Sequence, residues 1–209
     1  MDICNLALAH LGQRPTVVSI DPPEGSAEAA LCARFFPVAR DFLLEAHDWG
    51  FATTRIAVAL GAVTTPPAWQ YAYVQPNDCV RALAVLNPED PHEDQRNPFI
   101  RETTPDGTVT LVYCNVANAV LRYTRRVTDP TRYSPLFVEG LSRVLASYLA
   151  GPLIKGDVGR KEGAEQMKAA LAVVNSAQVS DARQIRTNIN LDETRHRPSW
   201  IAGRGPGNA

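Results

Sequence analysis

The side chains able to do acid–base or metal chemistry in this chain are few and poorly grouped. There are four histidines. His47 stands beside Asp48, the kind of neighbour a general base needs, but adjacent residues at a helix end point apart. A helix C-terminus also favours an imidazole on electrostatic grounds alone. His10 reads as a core-edge residue of a first helix. His92, in PHEDQ, sits beside Glu93 and Asp94 but lacks the HExxH spacing that places two imidazoles on one helix face, so a polar loop is expected. Glu45 with Asp48, and Glu89 with Asp90, offer carboxylate pairs, yet sequence spacing says little about the separation a glycosidase needs. No GxSxG elbow, P-loop or GxGxxG occurs. Gly203, Gly205 and Gly207 lack the strand-to-helix setting of a phosphate cradle. Cys4, Cys32, Cys79 and Cys114 are far apart in the chain and form no CxxC pair. They read as reduced, buried thiols of a cytosolically made protein. The expectation is no catalytic residue, no metal and no cofactor.

The elements that would position any site centre on Phe35–Arg81. Leu31, Phe35, Val38, Phe42 and Ala46 recur at three- and four-residue steps and predict one face of a helix. The helical period stops at His47-Asp48-Trp49, and Trp49 and Phe51 follow at strand spacing. Trp69, Tyr71 and Tyr73 predict three rings on one side of an extended segment. Rings of this size bury on the order of 150–250 Å² each, so the block is expected to form the seam between helices and sheet.

Ahead of it, residues 2–12 predict a helix with Ile3, Leu6, Ala7 and either His10 or Leu11 on one face, stopped at Gly12. The second helix begins either at Asp21-Pro22-Pro23-Glu24 or at Ser26 and runs to Ala46, with a kink at Pro37. Strands are predicted at 50–59, 69–74, 79–86, 98–104, 108–114 and 118–127, with Pro105-Asp106-Gly107 turning a hairpin. Alternation in the last two predicts an antiparallel sheet with one wet face. Asn87–Asn97 predicts an exposed loop. Ser134-Pro135 caps a helix carrying Phe137, Leu141, Val144, Leu145 and Tyr148 to about Ala150, interrupted at Gly151-Pro152. A last helix, 157–178, is expected to be capped by Asp157, with Ala164, Met167, Leu171 and Val174 on one face.

The fold class is therefore α+β: a core of about four helices with an inserted antiparallel β domain and an extended C-terminal tail. The expected divisions are 1–48, 49–130, 131–178 and 179–209. In the tail, arginines are strung through a Gly/Pro-containing stretch, and Trp200-Ile201 is the one bulky apolar pair near the end. Such a tail is either disordered alone or an arm that orders on a partner. Arg195, Arg197, Trp200, Ile201 and Arg204 are its candidate docking residues, since Trp and Arg are often energetic at interfaces. Arg122, Arg125 and Arg126 form a small basic patch beside Tyr123, read as a solvated sheet face or a subunit contact. With 21 basic and 22 acidic side chains, net charge −1, the chain as a whole has no electrostatic reason to bind nucleic acid. No apolar run approaches the ~20 residues that span a bilayer, and MDICNLALAHLGQ lacks a positive n-region, so neither membrane span nor signal peptide is expected.

RDFLLEAHDWGFATTRIAVAL followed by WQYAYVQPNDCVRAL resembles the tail tubular protein A family, the head-to-tail adaptors of short-tailed bacteriophages. ICNLALAHLGQ, LASYLAGPLIKG, VSDARQ and RPSWIAGR are similar to the same family, so the likeness touches both ends and the middle. It is weakest between about Asn87 and Asn118. The resemblance implies a virion protein at the head–tail junction, assembled in the host bacterial cytoplasm. It further implies a dodecameric ring of copies of itself, partnered by the portal protein, the tail nozzle protein and tail fibres. Genomic DNA would pass through the lumen without specific binding. The resemblance in RPSWIAGR favours the docking-arm reading of the tail. Two rivals stand beside it: a small hydrolase acting on cell-surface glycan, which needs a carboxylate pair in a cleft, and a monomeric binding module, which forms no ring.

Overall fold

A computed structural model describes residues 2–89 and 97–189. The order is α1 (Asp2–His10), α2 (Ala27–Ala46), β1 (Thr53–Ala57), β2 (Tyr71–Val74), β3 (Cys79–Leu86), β4 (Phe99–Thr103), β5 (Thr110–Cys114), β6 (Val120–Arg125), a 3-10 turn at Pro130–Arg132, α3 (Pro135–Ile154) and α4 (Gly156–Ile189). The fold is α+β, with the strands set between two pairs of helices. α3 packs against all three other helices and is the axis of the core.

Each helix boundary has a local cause. α1 ends where Gln13 N–H donates to the Leu8 carbonyl at 2.9 Å and Gly12 N–H to Ala9 at 3.0 Å. Of the two starts open for α2, Ser26 is used: its Oγ accepts from Ala29 N–H at 3.1 Å. Glu24 instead accepts from the Val18 and Ser19 N–H groups at 2.6 and 2.7 Å, pinning the preceding loop. Ser134 caps α3 by accepting from Phe137 N–H at 3.3 Å, with Pro135 at the first helical position.

Several expectations are corrected. α3 does not stop at Gly151-Pro152 but runs to Ile154, Pro152 being accommodated within its last turn. α4 starts at Gly156, not at an Asp157 cap, and continues to Ile189 instead of ending at 178. No Gly or Pro interrupts it beyond 163, and a helix already nucleated needs no buried face to propagate. The part of the tail beyond Ile189, with Arg195, Arg197, Trp200, Ile201 and Arg204, lies outside the described residues, as do His92 and most of the 87–97 loop.

The predicted apolar face of α2 is found in part: Leu31, Phe35 and Ala46 pack against the core. Ala29, Cys32, Ala39, Leu43 and Leu44 are buried, whereas Val38 and Phe42 remain 55% and 38% exposed. Small residues (Ala29, Cys32, Ala39) and the large Leu43 and Leu44 share the inward positions, while Val38 and Phe42 are left on the rim. The same happens on α4. Val174 is buried and Met167 packs against the core, but Leu171 is exposed, and Ala170 and Ala177 face inward. On that inward side a Cβ at Gly159 would stand 2.8 Å from the Ala150 carbonyl oxygen, and one at Gly163 2.9 Å from that of Ser147. Glycine there lets the α3 and α4 backbones touch.

All six predicted strands form, β3 with the predicted bounds and the other five shorter, but in two antiparallel three-stranded sheets of order β1-β6-β3 and β2-β5-β4. The β4–β5 hairpin turns where expected: Gly107 has φ of 73° and donates to the Thr104 carbonyl at 2.8 Å. The single wet face is not found. β5 is buried from Leu111 to Cys114, because each of its faces meets a separate apolar cluster. Val112 and Cys114 join Leu121, Tyr123 and Val85 of the other sheet, while Leu111 and Tyr113 pack with Ala72 and Trp69. Trp69 is thereby separated from Tyr71 and Tyr73, whose rings stack at 6.0 Å.

The corner after α2 joins helices to strands, as its aromatic content predicts. The Trp49 ring meets Phe137 edge-on at 5.1 Å, and its Nε1–H donates to the Leu43 carbonyl at 2.7 Å. Phe51 and Tyr133 complete the cluster around Phe137 at 5.0 and 4.7 Å. The Tyr133 hydroxyl donates to the Val127 carbonyl at 2.9 Å, so the chain leaving β6 is tied to the same ring cluster.

Candidate functional site

The acid–base candidates are dispersed by the fold. His47 caps α2 and packs edge-on against Trp49 at 5.0 Å. Asp48 forms an ion pair with Arg81 at 3.2 Å. Arg81 also donates to the Glu45 carbonyl at 3.3 Å, placing a cation at the negative end of α2. That role for Arg81 has no sequence signal beyond its charge. His10 lies within 3.0 Å of Ser142 Oγ and 4.0 Å of Glu139. Burial, followed by Arg143, lowers its pKa, with Glu139 opposing. Its core-edge reading stands.

All four cysteines are buried and unbridged. Cys4 and Cys32, distant in sequence, are brought together by α1 and α2; the hydrogen bond between them, then burial, pushes the Cys32 thiol up. Burial raises Cys79 to about 11 and also raises Cys114. Among the described residues, no group of three or more His, Cys, Asp or Glu side chains is placed to hold a metal ion, and no helix is long and apolar enough to cross a membrane.

The surfaces left to consider are two apolar regions and an arginine-lined hollow. One apolar region is the exposed side of α2, with Val38 and Phe42. The other is a shallow cavity of about 340 Å³ between the Trp49–Phe51 corner, the start of α3 and Ala177 and Ser180 of α4.

The predicted basic patch is divided by the fold. Arg122 lies on β6 facing Arg55 of β1 and Ala84 of β3, and its Nε is buried without a hydrogen-bond partner. Thr124, two residues on, is buried with its hydroxyl likewise unmatched. Arg125 and Arg126 instead line a polar hollow of about 330 Å³ with Asp78, Thr128, Asp129 and Arg132. Backbone bonds fix its floor: Arg125 N–H donates to Ala52 at 2.8 Å and Arg126 N–H to Asp78 at 2.7 Å. Arg126 reaches across to Asp41 of α2 at 3.0 Å, a link between sheet and helix.

Both carboxylates in the hollow have local work. Asp78 accepts from the Tyr123 hydroxyl at 3.0 Å; burial first, and that bond next, push the tyrosine up to about 12. Asp129 accepts from the Thr131 hydroxyl and N–H at 2.7 and 3.0 Å, which holds its carboxyl below the usual range. The contribution of Arg132 escaped the sequence reading, since only the 3-10 turn after Asp129 brings it beside Arg125. Neither protein-family models nor curated proteins give a match to this chain.

Proposed function

We propose that this protein is a structural subunit of a bacteriophage virion, a head-to-tail adaptor that joins portal to tail nozzle as a ring around the DNA ejection path. The resemblance carried by RDFLLEAHDWGF, WQYAYVQPNDCVRAL and RPSWIAGR, in that order, supports it. The structural observation that carries the ring is the apolar outer side of α2, where Val38 and Phe42 stand in solvent on a helix whose opposite side fills the core. Exposed apolar residues along one helix suit the side-by-side packing of helical cores, and head-to-tail contacts of this kind close into rings when the rotation permits. The two sheets then face nozzle or fibres, and the C-terminal residues Arg195, Arg197, Trp200, Ile201 and Arg204 engage the portal. Many weak contacts made together give a firm joint.

Truncation before Thr194 tests the assignment. The shortened protein is expected to keep its thermal unfolding transition and to lose attachment to the cognate portal in co-sedimentation. Undiminished attachment overturns the role of the tail. A conduit wall should also bind DNA weakly and with little salt dependence, so a steep salt slope for the isolated protein would count against the reading.

A further inference from the structure

We infer that the hollow lined by Arg125, Arg126 and Arg132 is a receptor for a carboxylate side chain on an acidic segment of a partner protein. Three arginines line the hollow with two aspartates, and Arg132, after the Thr131 hydrogen bonds, helps to hold the Asp129 carboxyl low. Only Arg126 is ion-paired, to Asp41; among the described residues no hydrogen bond or ion pair engages the guanidinium of Arg125 or Arg132. Cations gathered in a concave surface repel one another and gain most from an incoming anion, and the planar guanidinium fork matches a carboxylate in bidentate fashion.

The site is also pre-shaped. Tyr133 is anchored to Val127, Asp129 caps the turn that presents Arg132, and Arg125 and Arg126 are held by their backbone bonds to Ala52 and Asp78. Little ordering is then needed on binding.

The chemistry favours an acidic peptide over a nucleic acid. Asp78 and Asp129 lie in the same hollow, and the chain carries a net charge of −1. A phosphate backbone presenting a charge every few ångströms would meet these carboxylates, whereas one or two side-chain carboxylates fit between the arginines. Arg122 takes no part, since it is not among the residues lining the hollow. This inference does not depend on the adaptor role.

Binding of a fluorescent hexaglutamate peptide to the full chain, read by anisotropy at low ionic strength, tests it. Arg125→Gln with Arg132→Gln is expected to weaken binding roughly tenfold or more, while Arg14→Gln leaves it unchanged. The exposed Arg132→Glu alone should also weaken it, and serves if the double variant fails to fold. Competition by an oligothymidylate of equal charge should be the poorer. Equal binding by the wild type and either hollow variant overturns the proposal, as does tighter binding of the oligothymidylate. Because no portal or ring enters the assay, its failure is separate from failure of the adaptor reading.

Discussion

The helical core and the paired sheets bury their residues by different means. In the core, glycine and alanine bring α3 and α4 together until backbone meets backbone at Gly159 and Gly163, and Phe137 gathers Trp49, Phe51 and Tyr133 around it. In the sheets the central strands β5 and β6 and the middle of β2 are buried; β1 and β4 are edge strands with mostly exposed side chains. Short edge strands and charges blunt unwanted pairing. The arginine-bearing end of β6 is where the two regions meet: Arg126 pairs with Asp41 of α2, and the Val127 carbonyl accepts from Tyr133 of the aromatic cluster.

Substitutions can break or sharpen that contrast. The largest effect is expected for Phe137→Ala, which empties the centre of the aromatic cluster and should cost about 3–5 kcal/mol in chemical denaturation. Gly163→Ala comes next. Alanine is the better helix former by about 1 kcal/mol, yet its Cβ would press on the Ser147 carbonyl oxygen at 2.9 Å. A net loss of about 1–3 kcal/mol is expected, and a gain in stability would show that the helices are not in backbone contact.

In the sheets, Tyr73→Phe removes a buried hydroxyl that donates to the Val116 carbonyl at 2.9 Å and accepts from Ala119 N–H at 3.4 Å. About 1–2 kcal/mol should be lost, detectable as a lower denaturation midpoint.

The smallest effect is a pH dependence at His10. Its folded-state pKa lies below the ordinary value, so the unfolded chain binds the proton more readily. Stability should fall as pH drops through about 6.5 towards the depressed value, and His10→Gln should flatten that part of the profile. An unchanged slope in the variant would place the titration elsewhere.

What could be read from sequence follows the same division. Helix starts with a chemical signature, Ser134-Pro135 and Ser26, were legible, as was the Pro105-Asp106-Gly107 turn, because the side chain itself makes the bond. On α2 the periodicity places Leu31, Phe35 and Ala46 correctly against the core but not Val38 and Phe42, because the buried stripe in the second half of the helix runs through Ala39, Leu43 and Leu44. β5 was misread because alternation assumes one solvated side, and Val112 and Cys114 show that both were covered. At the candidate site, Arg125 and Arg126 were visible as a charge cluster. Arg132 joins them only through the 3-10 turn at Pro130–Arg132, which no periodic pattern encodes.

Mass photometry of the purified full-length protein, alone and with its cognate portal, bears most directly on the adaptor reading. The account predicts a species of about twelve copies that appears or grows sharply when portal is added, binding driving assembly. A monomer in both conditions would contradict it.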